Sequence, residues 1–514
     1  MNRRKLLQYV GAAIVSVPFS TSAKRSTNQK KKIFSVLDIF DNNSQRDEII
    51  ANTASFDASI YINAAIQHAT DKGLALYLPS GTYLLNGPRK GKNSAIILAR
   101  SDLTMFGDGQ LSILKVADDY TSGGDYRVFA PEGAEQIDNL SIRAVHFDGN
   151  ALKNLVHGSY QSQDIRRAYS INVLSGSNIQ VTDCFFSNNP GRGVINLGNN
   201  ASTSSIANAL IRNNVIANVG GSIKGNRAQN DHSSIYIQAN GATVEKNRFY
   251  NDAPVDPFSL PAIAVVALEI HGSNTNVTSN NIKNYVTGGN AVASVQNSEN
   301  NTWFNNNFDG VTSLGLTLWS KAPYQNKNLT IRKNTFRIDN SVYSGNTAIY
   351  QNPSAAATTS PFKNLLIEDN LIYSNIVTSQ PVTWHGIALC AVDGAIIRGN
   401  QIKNIQGCGI DISESKAALG VNDVAIYNNQ IINVGLHKAR TRIWAIRIAN
   451  PSNSHLFSKI NIYDNKIDAS HQNSAMRGIY IDSPRDLKMG IRSDNQFNDI
   501  EKSKQIQIPL SGAL

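Results

Sequence analysis

The chain has 514 residues, 41% of them hydrophobic and 17% charged, with 36 glycines, three cysteines and a formal net charge of +10. That composition excludes a disordered chain, a disulfide-stapled mini-domain and a coiled coil, each of which needs a more extreme bias. The length admits two to four ordinary domains or one large repetitive one, because a solenoid escapes the size limit of a single globular core.

The chain opens Asn2-Arg3-Arg4-Lys5-Leu6-Leu7, stays apolar to Pro18 and then runs through small residues to Thr21-Ser22-Ala23. A basic start, a short apolar run and a small-residue close predict an export signal over residues 1–23 of a bacterial periplasmic or secreted protein. The segment resembles a twin-arginine leader, from whose Ser/Thr-Arg-Arg-x-Phe-Leu-Lys pattern Asn2, Leu6 and Gln8 depart; an ordinary Sec signal is the alternative. No later stretch approaches about 20 apolar residues, so no stable membrane insertion is expected. Residues 24–34 read as a basic linker. Together residues 1–34 hold Arg3, Arg4, Lys5, Lys24, Arg25, Lys30, Lys31 and Lys32 and no acid, leaving 40 basic and 38 acidic residues beyond them. The charge surplus thus belongs to the N-terminal extension, and with no interleaving of aromatic and basic residues a nucleic-acid partner is disfavoured.

Residues 35–93 predict an N-terminal cap. Ser35-Val36-Leu37-Asp38 leads into Asp57 to Ala69, whose apolar residues recur at helical spacing, and then into Leu76-Tyr77-Leu78-Pro79-Ser80-Gly81-Thr82-Tyr83-Leu84-Leu85. A short amphipathic helix followed by a strand would cover the open first coil of a solenoid.

From residue 94 to the end one phrase recurs: Gly/Ala-Ile-x-Ile, a polar turn, a second apolar strand, then Asn-x-Ile/Phe. The last element carries Asn214, Asn247, Asn280, Asn306, Asn334, Asn370, Asn400, Asn429, Asn465 and Asn495, with Asp183 expected in the same place one unit earlier. The separations of 26 to 36 residues fall in the period range of solenoids. Each unit holds three short, β-branched segments with period-two alternation and no helical pattern between them. These units predict an all-β fold, a right-handed parallel β-helix of about 11 to 13 single-stranded coils with a C-terminal cap. The asparagines read as turn residues stacked into a ladder.

The capping helix, the run from Leu76 to Leu85 and the run from Leu103 to Lys115 together resemble the N-terminal signature of the pectate-lyase-like superfamily of parallel β-helix proteins. The likeness covers essentially the whole mature chain at the level of architecture, and its motifs specify a scaffold and not a reaction. It implies a protein of the kind that includes polysaccharide lyases, glycoside hydrolases, uronate epimerases and phage-tail depolymerases. The Asn-Thr-Asp, Asp-Asp and Gly-His-Gly set of polygalacturonases, the Asp-Pro-His motif of alginate epimerases and the calcium-binding Asp cluster of classical pectate lyases are missing.

The resemblance also implies that substrate lies along the Gly-Ile-x-Ile sheet, with x projecting outward. Reading x in each coil gives Asn172, Asn196, Tyr236, Glu269, Ser294, Thr317, Tyr350, Ala388, Asp411, Arg447 and Tyr480. Two clusters follow. The first has Arg192, Asp231, His232, Tyr236 and Glu269 as catalytic candidates, with Lys224, Arg227 and His271 as substrate-binding ones. It supplies a cation for a substrate carboxylate, a base for the proton alpha to it and an acid for the leaving oxygen. A hydrolase would instead use a carboxylate pair such as Asp231 and Glu269. The second cluster is Trp384, His385, Asp411 and Arg447, beside the basic run from His437 to Arg442; Trp384 and Trp319 are candidates for stacking sugar rings. The bland alternatives are a polar outer sheet of solvated side chains and a cross-strand ion pair. Asp252 and Asp256 are candidate calcium ligands, though two carboxylates make a thin set.

Cys184, in an apolar run, reads as a core residue. Cys408 falls level with His385, and Cys390 lies roughly 16 Å further along the coil at strand rise, too far for a bridge. The expected function is an exported enzyme degrading a uronate-containing polysaccharide, by β-elimination ahead of hydrolysis. The alternative is a non-catalytic β-helix that binds polysaccharide or serves as an envelope structural protein.

Overall fold

The structure, a computed structural model, describes residues 31–87, 95–120, 126–133, 135–154, 168–190, 193–198, 206–219, 232–250, 265–283, 293–295, 298–311, 314–320, 325–338, 347–353, 362–375, 385–413, 420–435, 443–449, 457–469, 476–482, 489–491, 494–500 and 502–507. The leader expected over residues 1–23 lies outside these, as do Arg192, Lys224, Arg227, Asp231, Asp252, Asp256 and Trp384. The chain divides into units 1–32 and 33–514, and the second carries all that follows. Among the described residues no helix is long and apolar enough to cross a membrane.

Short strands succeed one another around three parallel sheets, each strand pairing in parallel with one a coil earlier and one a coil later. The fold is a right-handed parallel β-helix, the hand that twisted parallel strands impose on their crossovers. Among the described residues two sheets hold fourteen strands each. That exceeds the expected count because the first coils, built from strands such as Gly81–Leu85 and Ser112–Val116, precede the asparagine phrase by which coils are recognised in the sequence.

Two helices precede these coils where the spacing predicts one. The first, α1 (Asn43–Ile50), starts from an Asn42 cap whose side chain accepts the Ser44 N–H at 2.8 Å; it buries only Ile49, so it has no apolar stripe to betray it. The second, α2 (Ser59–Asp71), is the expected helix and buries Ile62, Ala65, Ile66 and Ala69. Asn63 of α2 donates to the Ile96 carbonyl at 2.9 Å and accepts the Leu98 N–H at 2.8 Å. Its amide thereby takes the place of a neighbouring strand on Ala95–Leu98, satisfying an edge that would otherwise stand open.

Inside the solenoid, side chains stack in rows that follow the register. One row runs Leu114, Phe147, Phe186, Ile216, Phe249, Ile282, Phe308, Phe336, with Phe308 and Phe336 parallel at 4.5 Å between centroids. A second internal row is polar. From Asn247 to Asn495 each ladder asparagine accepts, through Oδ1, both the backbone N–H and the Nδ2–H of the asparagine one coil earlier, at 2.9–3.1 Å. From Asn214 to Asn465 the residue before each turns the chain through left-handed φ, as at Asn213, Lys246 and Lys333. This corrects the placement of Asp183. Asp183 has φ 57° and stacks with Asn213, whose Nδ2 reaches its Oδ1 at 3.1 Å; the ladder position of that coil belongs to Cys184, whose N–H donates to Asn214 Oδ1 at 3.0 Å. A polar side chain is tolerated at the turn in either of two adjacent places, so similarity of type misaligned the unit by one residue.

None of the three cysteines forms a disulfide. Burial pushes the Cys184 thiol up to about 12, and burial with the neighbouring Asp411 charge pushes Cys390 to about 12. With thiolate so disfavoured, neither should react with iodoacetamide in the native protein at neutral pH, whereas both should after unfolding. Peptide mapping by mass spectrometry checks this; rapid native labelling of either would show the packing around it to be wrong.

Candidate functional site

In the sheet that contains Ala95–Leu98, the x residues form one ladder. Asn172 pairs with Asn196, Asn196 with Tyr236, Tyr236 with Glu269, and the register continues through Ser294, Thr317, Tyr350, Ala388, Asp411 and Arg447 to Tyr480. Their flanking residues, such as Leu268 and Ile270, lie in the core, so x points away from it. This face is not simply solvated. Asn172, Thr317 and Asp411 are 1%, 0% and 4% exposed, and Thr317 Oγ1 is buried without a hydrogen-bond partner among the described residues.

The two residues before x explain a second row. Position x−2 is Gly or Ala in every coil from Gly315 through Ala348, Gly386, Gly409 and Ala445 to Gly478; earlier it includes Ser234 and Ala267, with valine at Val194 and Val292. It faces inward, since a Cβ on Gly386 would meet Ile402 Cγ2 at 2.9 Å and one on Gly478 would meet the Phe497 ring at 2.6 Å. The strand bends there, and x−3 returns to the outer side. That row contributes Ser233, Thr347, His385, Cys408, Trp444 and Arg477, of which only His385 stood among the candidates.

The first cluster draws on both rows. Glu269 is held at both oxygens: Oε1 by His271 Nε2 at 2.6 Å, and Oε2 by the Ser233 hydroxyl in a short hydrogen bond. The Tyr236 ring lies against the His271 ring, 4.7 Å between centroids, and its hydroxyl reaches Gln238 Oε1 at 3.5 Å. The Glu269 and His271 side chains are only 15% and 6% exposed, which makes their mutual contact stronger than a surface pair. Of the remaining candidates here, His232 opens the strand His232–Ile237, where its backbone is level with Val265.

The second cluster is also assembled. Arg447 grips Asp411 bidentately, Nε to Oδ1 at 2.7 Å and Nη2 to Oδ2 at 3.3 Å. His385 Nδ1 accepts the Cys408 N–H at 3.2 Å, which leaves Nε2 facing Asp411 Oδ2 at 3.9 Å. Burial works against the Arg447 charge, yet the Asp411 carboxylate and the Cys408 sulfur hold its pKa above the ordinary value. Glu269 and Asp411 stand five strands apart, roughly 24 Å at about 4.8 Å per strand. They cannot act on one bond. Trp319 is half-buried between them on the strand Leu314–Ser320, two residues after Thr317 and on the same side. Among the described residues no three His, Cys, Asp or Glu side chains gather to hold a metal ion.

No family model matches this chain, and no curated protein matches it. Solved structures do. The tailspike protein of E. coli bacteriophage HK620, as a mutant in complex with pentasaccharide, is 15% identical, with 88% of this chain and 78% of that one covered at a TM-score of 0.60. A double mutant of the same tailspike is 16% identical, with 93% and 80% covered at 0.61. The mannuronan C-5 epimerase AlgE6 A-module of Azotobacter vinelandii is 12% identical, with 93% and 100% covered at 0.46. The likeness is one of fold. A β-helix hosts many unrelated functions, so chemistry has to be argued from this chain's own side chains.

Proposed function

We propose that this chain is an exported enzyme that cleaves a uronate-containing extracellular polysaccharide by β-elimination on the ladder face. The observation that carries the reading is the contact chain Ser233, Glu269, His271, Tyr236. An ionised carboxylate can only accept, so Glu269 places the His271 proton on Nε2 and leaves Nδ1 as the basic nitrogen. His271 Nδ1 takes the proton from the carbon alpha to the uronate carboxylate. The electron pair of that C–H bond becomes the new C=C bond as the C–O bond to the leaving sugar breaks, and the Tyr236 hydroxyl protonates the departing oxygen. Glu269 faces the imidazolium that forms, as a carboxylate partner does in other histidine-based sites.

Neutralising the substrate carboxylate falls to Arg192, Lys224 or Arg227, candidates by sequence that lie outside the described residues. The resemblance to the pectate-lyase-like superfamily and the fold shared with a tailspike recorded in complex with pentasaccharide support a glycan on this scaffold; the leader sequence supports export. Hydrolysis needs two carboxylates about 5 to 9 Å apart, and along the described ladder the next carboxylate after Glu269 is Asp411.

The test is a panel of polysaccharides incubated with the purified chain, following both the absorbance of unsaturated uronate products and new reducing ends. Both signals together are expected. Reducing ends without the absorbance would replace elimination with hydrolysis, drawing Asp231 into a pair with Glu269. Binding with neither signal would make the chain a polysaccharide-binding or envelope structural β-helix.

A further inference from the structure

At the C-terminal end of the same face, Arg477 stands in an unusual situation. Its guanidinium lies over the Trp444 indole, 5.1 Å to the ring centroid, and Nη1 donates to Gln507 Oε1 at 3.1 Å. No carboxylate pairs with it among the described residues. Tyr480, three residues on and half-buried, stacks on the same indole at 4.5 Å and 21°. Trp444 points away from the solenoid core, in a separate cluster with Cys408 and Ile443, yet is only 2% exposed. An outward tryptophan buried in this way holds a guanidinium and a phenol in fixed orientation at the surface. One strand earlier, Arg447 commits Nε and Nη2 to Asp411 and keeps Nη1 without a hydrogen bond among the described residues. Among the described residues the group therefore carries two guanidiniums against one carboxylate, beside the stacked Trp444 and Tyr480 rings.

We propose that Arg477, Tyr480 and Arg447 form a remote subsite that reads an anionic sugar on the same glycan. The unspent guanidinium edges take its carboxylate or sulfate, and Tyr480 supports the ring face. Arginine suits this because its planar fork offers paired donors to an oxyanion while its face rests on an aromatic. The subsite lies six to seven strands from Glu269, roughly 29 to 34 Å, so it selects and aligns the chain and takes no part in bond cleavage. The inference rests on the reading that this face takes an acidic polysaccharide, and it adds a second position that reads the charge of that chain.

The test is isothermal titration calorimetry of the full chain carrying Glu269→Gln, with oligogalacturonate, its methyl ester, a sulfated galactan oligosaccharide and the desulfated form. The acidic partner of at least one pair should bind more tightly than its neutral counterpart, and the difference should shrink with salt. Adding Arg477→Gln should weaken that acidic ligand roughly tenfold or more and leave its neutral counterpart unchanged, with Arg477→Lys intermediate. Thermal melts of both variants should match their parent, since Arg477 is half-exposed. Which pair responds tells carboxylate from sulfate. Equal affinity for acidic and neutral ligands, no binding of any acidic ligand, or an Arg477→Gln variant that binds normally would each overturn the subsite. Turnover with normal Arg477→Gln binding would leave the enzyme reading intact; charge-dependent binding without products would do the reverse.

Discussion

Glu269→Gln is expected to lower kcat for β-elimination about 10²–10⁴-fold, the usual worth of an acid–base group, with little change in the melting temperature. Glutamine fills the same volume and can still accept from the Ser233 hydroxyl. What it loses is the charge opposite His271, and with it the fixed tautomer. A carboxamide can turn its NH₂ toward Nε2, and the imidazole proton then moves to Nδ1, where the basic lone pair was needed. Both consequences act on the transition state, when the imidazolium forms, so kcat should fall while KM stays near its wild-type value. Initial rates followed by product absorbance, with a thermal melt as control, decide the matter. A variant that folds and turns over normally would remove this cluster from the chemistry and turn attention to His385 and Asp411.

The architecture was legible because it is written at two periods at once. Alternation within each short segment assigns inward and outward residues, and recurrence near 31 residues assigns coils, so the register of the x ladder follows from the sequence alone. Where the two signals thin out, detail was lost. The first coils have no ladder asparagine, α1 has no apolar stripe, and at the Asp183 turn two neighbouring polar residues exchange roles. Burial of the outward residues was also hidden, because a polar side chain such as Thr317 or Asp411 looks the same in sequence whether water or protein covers it.

The candidate site was half legible for a related reason. Tyr236, Glu269, His271 and the Asp411–Arg447 pair sit on or beside the ladder, and alternation finds them. Ser233, Trp444 and Arg477 sit at x−3, which strict alternation assigns to the inside. The clue was the small residue at x−2, Gly or Ala in every coil from Gly315 to Gly478. A position that admits only small side chains marks a strand bending over packed neighbours, and a bend resets which residues face out.

Asn334→Leu should be the most damaging single change in the solenoid. Asn334 Oδ1 accepts the N–H and the Nδ2–H of Asn306 at 2.9 Å, while its Nδ2 donates to the Trp303 carbonyl at 2.9 Å and to Asn370 Oδ1 at 3.0 Å. Leucine is close in volume, so the lost term is polar: three buried groups on residues 303 and 306 each lose a partner, of which Asn306 Nδ2 keeps its other bond, to the Val277 carbonyl. Each group left without a partner costs about 1–3 kcal/mol, and water cannot replace the amide in an interior packed by Trp303 and Phe336. The total is comparable with the stability of an ordinary domain, about 5–15 kcal/mol. In a stack where each coil contacts chiefly its neighbours, the damage falls at one interface. Calorimetry should therefore show the unfolding transition move to lower temperature and divide, with the coils on either side of Asn334 melting apart. The same substitution at Asn214, the first rung, takes a partner from only two earlier groups, the Cys184 N–H and the Val181 carbonyl, and should cost less. A single unshifted transition for Asn334→Leu would show that the ladder is packing and not polar glue.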